Sequence, residues 1–148
     1  TLDYARFVRA QDPVWTNVVA ELTLGQKQSH WMWFVFPQLR GLGSSEMSTF
    51  FGLRSLSEAT DYLAHPILAE RLQTACRLVL RHKQIPITTI LGEPDAFKLK
   101  SSMTLFSKTP GLAELAQDVL DQFYKSQPCE QTTMMLRAEP QPLPSLQP

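Results

Sequence analysis

Apolar residues recur along most of this chain at the spacing of one helical face. Val14, Val18, Val19 and Leu22 make one such stripe. Leu68, Leu72, Cys76 and Val79, with Ala75 beside them, make the cleanest. Leu99, Met103 and Phe106 form a third, and Leu112, Leu115, Ala116, Val119, Leu120 and Phe123 a broad fourth. Shorter pieces lie between. Leu2, Phe7, Val8 and Ala10 predict a first helix ending near Gln11. Met47, Phe50 and Phe51 predict the inward face of a short helix begun by Ser44 or Ser45 and closed by Gly52. Leu56, Ala59, Tyr62 and Leu63 predict another, and residues 85–91 an apolar helical turn.

The punctuation agrees with these stripes. Asp12-Pro13 and Thr109-Pro110 each read as an N-cap followed by proline at the first helical position. Ser55 and Glu58 have the spacing of a capping box, Asp95 reads as a further N-cap, and Gly25 reads as a C-cap. His65-Pro66 ends a helix, because the residue before a proline avoids the helical region. The pattern predicts an all-α fold, a compact single-domain bundle of about seven or eight helices over residues 1–125. A proline- and glutamine-rich segment over 126–148 then reads as an extended, partly disordered tail. Within it, Thr132 to Leu136 is the piece suited to dock back.

One stretch does not fit a simple stripe. Residues 27–43 hold Trp31 and Trp33, Phe34 and Phe36, His30, Pro37, Gly41 and Gly43. As strand or as helix, this run puts large apolar groups on opposite sides, so it must be buried on two sides. No second strand-like run exists to pair with it, and an unpaired buried strand leaves its backbone groups unsatisfied. The expectation is a short buried helix, capped by Ser29 and ended near Pro37.

Charge narrows the function classes. The 14 basic and 14 acidic residues cancel, which gives no support for nonspecific attraction to nucleic acid or an anionic membrane. The longest uninterrupted apolar run, residues 31–36, is far too short to span a bilayer. Cys76 and Cys129 read as reduced thiols of a cytoplasmic protein, and no Cys/His cluster has zinc-ligand spacing. No metal and no cofactor is implied.

Candidate chemistry falls into two polar clusters. The first surrounds the aromatic run. His30 stands at its mouth as a candidate catalytic acid or base, against the plainer role of a core-edge histidine. Trp31 and Trp33 are core residues or a stacking wall, Gln38 and Arg40 add polar reach, and Gly41-Leu42-Gly43-Ser44-Ser45 adds backbone amides suited to an anion. The second cluster is Lys98, Lys100, Ser101 and Ser102. Two hydroxyls inside a helix compete with its backbone bonds, so they serve close helix packing or contact a phosphate or ribose beside the lysines. No nucleophile elbow, P-loop or paired carboxylates occur.

At these residues the chain resembles the bacterial domain-of-unknown-function 1810 family. The resemblance rests on Phe7-Val8-x-Ala10-Gln11, on Ser29-His30-Trp31-Met32-Trp33-Phe34-Val35-Phe36-Pro37-Gln38 with Gly41-Leu42-Gly43, on Tyr62-Leu63-x-His65-Pro66-x-Leu68, and on the run Lys98 to Phe106. It covers most of the chain to about Leu120, implies an all-α fold and supplies no activity. Residues 126–136 lack a Gly-x-x-Asp motif that relatives carry, which leaves docking of the C-terminus open. A still fainter likeness to ADP-ribose-processing glycosidases implies N-glycosidic chemistry.

Two functional readings follow. One is a small-molecule pocket for a nucleotide or ADP-ribose-like ligand between residues 31–38 and the helix at 98–104. His30 would then be catalytic, and Trp31, Trp33, Gln38, Arg40, Lys98, Lys100, Ser101 and Ser102 ligand-binding. The other is a non-catalytic protein-interaction module that binds through its proline-rich tail. Nucleic acid and membrane rank last as partners.

Overall fold

The computed structural model describes residues 3–138. Ten helices run through them: α1 (Ala5–Gln11), α2 (Trp15–Leu24), α3 (Met32–Val35), α4 (Glu46–Phe51), α5 (Leu56–Ala64), α6 (Pro66–Leu80), α7 (Ile87–Leu91), α8 (Asp95–Phe106), α9 (Ala113–Phe123) and α10 (Glu130–Ala138). Among the described residues there is no strand; Leu39 and Leu53 form an isolated parallel bridge. The all-α expectation holds, with more and shorter helices than the stripes alone define.

The longest helix obeys its pattern. Leu68, Leu72, Ala75, Cys76, Leu78 and Val79 of α6 are buried, and Pro66 opens the helix where its missing N–H costs nothing. Against α6 pack α2, α5 and α9, and α8 lies against α9. Helix α8 is enclosed on nearly every side, with Ala96, Leu99 and every residue from 101 to 106 buried. Gly25 closes α2 in the left-handed conformation (φ 77°), and the His82 ring sits over it with Nε2 2.7 Å from the Leu22 carbonyl at that helix end.

Some caps are not where the sequence placed them. Ser45 and Ser55 do accept hydrogen bonds from the backbone N–H of Ser48 and Glu58. The two cap-then-proline signals do not start helices: α2 begins behind Val14 and α9 behind Leu112. Other partners claim both residues, one across the fold and one only three residues back. Asp12 pairs with Arg71 at 2.8 Å, and buried Thr109 donates to the Phe106 carbonyl at 2.6 Å. Asp95 lies inside the first turn of α8, behind Pro94, and turns its carboxylate to lysines.

Two further differences bear on the site. In α4, Phe51 is buried, but Phe50 is 57% exposed and Met47 37%. Met47, Phe50 and Phe51 share one helical face, but only its Phe51 edge reaches the core. Residues expected in an extended tail include α10, which packs against α8 and buries Cys129 and Thr132. Residues 139–148, with most of the prolines expected there, lie outside the described residues.

Candidate functional site

The aromatic run is short helix and loop, tied down by one carboxylate. Glu21 of α2 accepts hydrogen bonds from the backbone N–H of Gln28 (2.8 Å) and Ser29 (3.0 Å) and from the Trp31 indole (2.9 Å), and it also meets the Ser29 hydroxyl. Burial pushes this carboxyl up, but the Ser29 hydroxyl and the three N–H donors outweigh burial and hold it down at about 2. Ser29 therefore serves Glu21 rather than capping α3, whose N-cap is Trp31. Trp31 itself is fully buried, with Lys27 over its ring at 5.0 Å.

The run does meet α8, through charge. Lys27 reaches Asp95 at 2.7 Å, with side chains only 6% and 18% exposed, and also donates to the Ser29 carbonyl at 2.6 Å. Lys98 lies 3.6 Å from the same carboxylate and 4.8 Å from the Trp33 ring. Trp33, Gln38, Ser48 and Lys98 line one hollow, closed by Met32, Phe36, Phe51 and Gly52. Its volume is about 10 Å³, room for about one water and no organic ligand.

The other expected site residues are dispersed. His30 is exposed, has no hydrogen bond or ion pair to a described residue, and does not line that hollow. Ser101 is buried, donating to the Phe97 carbonyl at 3.3 Å and lying 3.4 Å from the Cys129 sulfur. Ser102 is buried with its hydroxyl unpartnered among the described residues. Lys100 stands 6.0 Å from the Tyr124 ring, at a different hollow from Lys98. Helix geometry explains the split: positions 98 and 100 point about 200° apart around α8.

Arg40 leads to an open groove of about 850 Å³. Residues 38–40 leave α3 beside residue 53, where Arg40 N–H donates to the Leu53 carbonyl (2.7 Å) and Leu53 N–H to the Gln38 carbonyl (3.0 Å). That bridge sets Arg40 near Arg54. Gly52 permits the approach, since a Cβ there would stand 2.7 Å from Arg40 Cα. Arg6 of α1 adds a third guanidinium, 8% exposed. Its Nε donates to the Phe50 carbonyl at 2.9 Å, its Nη1 to the Asp3 carbonyl, and its guanidinium lies 4.4 Å from the Phe7 ring and 5.7 Å from the Phe50 ring.

These cations differ in commitment. Arg54 donates to Glu58 at 2.8 Å from a half-exposed side chain. Arg40 is exposed and pairs with no carboxylate among the described residues. Asp3 and Glu46 also line the groove, and the Arg9 hydrogen bond leads the causes that hold the Asp3 carboxyl below its usual value. Phe50 presents its ring at the edge, braced against Phe51 at 4.8 Å and 84°. Guanidinium forks suit phosphate or carboxylate oxygens, and a supported phenyl face suits an aromatic ring. Met47, Phe50, Arg6 and Arg54 escape a reading by motif. Sequence spacing gave no signal: Met47, Phe50 and Phe51 read as one core-facing stripe, and only packing leaves Met47 and Phe50 open.

Among the described residues, no group of three or more His, Cys, Asp or Glu side chains could hold a metal ion, and no helix is long and apolar enough to cross a membrane. The model of a family described as "Protein of unknown function (DUF1810)" matches residues 1–136, which includes most of α10. The chain is similar to the crystal structure of the conserved hypothetical protein Rv1873 from Mycobacterium tuberculosis. That likeness has a TM-score of 0.89 and 44% identity, and covers 91% of this chain and 96% of that one. Among curated proteins, none matches.

Proposed function

The chain belongs to the DUF1810 family of proteins of unknown function, and we propose that it binds a small anionic molecule of the nucleotide or ADP-ribose kind. The ligand class is the one expected from the sequence; the place is the groove of Arg6, Arg40, Arg54 and Phe50. One observation carries the reading. In a chain with no net charge, three guanidiniums and an exposed, braced phenyl ring line one groove of a size that suits small ligands. Arg40 and Arg54 would take phosphate oxygens and the Phe50 face the base. Arg6, held by two backbone carbonyls, fixes the position of α4 and adds field.

Calorimetry with AMP, ADP-ribose and pyrophosphate tests this. ADP-ribose should bind and raise the melting temperature, more weakly as salt rises. Arg40→Ala should weaken binding by about tenfold or more, the loss of a charge-assisted pair. If none of the three binds at millimolar concentration, or if Arg40→Ala with Arg54→Ala binds as the parent does, the groove is not the site.

A further inference from the structure

Both thiols of this chain are buried, but among different neighbours. Cys76 is fully buried in the α6 stripe, with Met103 sulfur 3.7 Å away, and burial pushes its thiol up to about 12. Cys129 stands at the start of α10, its backbone N–H donating to Thr104 Oγ1 at 2.9 Å and its carbonyl accepting from Thr133 N–H at 3.0 Å. Its sulfur lies 3.4 Å from the Ser101 hydroxyl. Burial raises this thiol, but the hydroxyls of Ser101 and Thr132 and the N–H groups of Thr132 and Gln131 outweigh burial and hold it below the ordinary value.

Two further observations point outward from that sulfur. Thr132, 0% exposed, turns its hydroxyl toward Cys129 yet lacks a well-aligned hydrogen-bond partner among the described residues. A buried hydroxyl left so is costly, and an oxygen placed on the sulfur would satisfy it. Cys129, only 2% exposed, lies at the wall of a hollow of about 570 Å³ shared with Phe97, Lys100, Pro128 and Gln131, so only a molecule as small as a hydroperoxide reaches the sulfur, from that side.

We propose that Cys129 is a modification site for small hydroperoxides, oxidised to a sulfenic acid whose oxygen rests in the Ser101–Thr132–helix cradle. The thiolate attacks the terminal peroxide oxygen. The S–O bond forms as the O–O bond breaks, the peroxide leaves as water or alcohol after taking one proton, and the sulfur loses two electrons. Ser101 thereby has a role as positioning residue that differs from the nucleotide contact expected of it. This inference stands apart from the arginine groove.

The test treats the folded protein with a small excess of hydrogen peroxide and traps sulfenic acid with dimedone, read by site-resolved mass spectrometry. Label should appear on Cys129 and not on Cys76. Thr132→Val should slow labelling at neutral pH by about tenfold through lost stabilisation of the thiolate, and Thr132→Ser should restore it. Circular dichroism checks that each variant is folded, and should one unfold, the parent's labelling rate as a function of pH decides instead. An unlabelled Cys129, equal labelling of both thiols, or a rate that rises only at the pH of an ordinary thiol would overturn the proposal.

Discussion

Replacing Glu21 with glutamine removes one charge and little volume, and the structure sets its cost. The carboxylate receives three N–H donors and a hydroxyl from residues 28–31. An amide keeps one acceptor oxygen and turns an NH₂ toward at least one of those donors. The depression from 4.5 to about 2 corresponds in full to about 3.4 kcal/mol, at about 1.4 kcal/mol per pH unit. Partial exposure and solvent screening reduce the expected loss to about 2 kcal/mol. The sign follows from linkage: a carboxyl depressed in the folded state stabilises above its unfolded value, and that stability is lost as pH falls from about 5 toward 2. Urea denaturation of parent and Glu21→Gln, followed by tryptophan fluorescence and circular dichroism, should show a gap of about 2 kcal/mol at pH 7. At pH 3 the gap should shrink to about half or less, because the parent alone loses the charged interaction. A gap of the same size at both pH values, or one that grows toward acid, would show that the charge of Glu21 is not what anchors the aromatic run.

Two other substitutions probe the same architecture. Gly52 has an ordinary φ of −68°, so Gly52→Ala acts through space alone. Its Cβ would meet Arg40 Cα and Cβ at 2.7 Å and the Ser48 carbonyl at 2.8 Å, backbone that must shift. Thermal melts should show a loss of about 1–3 kcal/mol, and calorimetry weaker ADP-ribose binding as Arg40 is displaced. Lys27→Met leaves Asp95 with Lys98 alone at 3.6 Å. Denaturation should report about 2–3 kcal/mol lost, somewhat under the cost of fully orphaning a buried charge. Adding Asp95→Leu should recover part of it, and no recovery would count against a charge-based explanation.

The local code of the chain decided the class of fold. The α6 stripe of Leu68, Leu72, Cys76 and Val79 is a one-dimensional fact, because helical period and burial coincide there. Ser55 before α5 and Gly25 after α2 are equally local, a side-chain acceptor and a backbone free to take positive φ. The expected meeting of the aromatic run with α8 also occurred, at Trp33 and Lys98, but as a closed contact. Tertiary structure alone decided the rest. Asp12 looks like a cap until Arg71, from a distant helix, competes for it. The aromatic run is apolar all round, so its pattern cannot say which ring is sealed; Glu21 and Lys27 seal Trp31 and leave Trp33 half-open. Arginine follows no helical period, so nothing in the order of residues announces that Arg6, Arg40 and Arg54 will share a groove. The bridge at Leu39 and Leu53 and the seat of Arg6 on the Phe50 carbonyl bring them together, and such long-range hydrogen bonds leave no trace in sequence spacing.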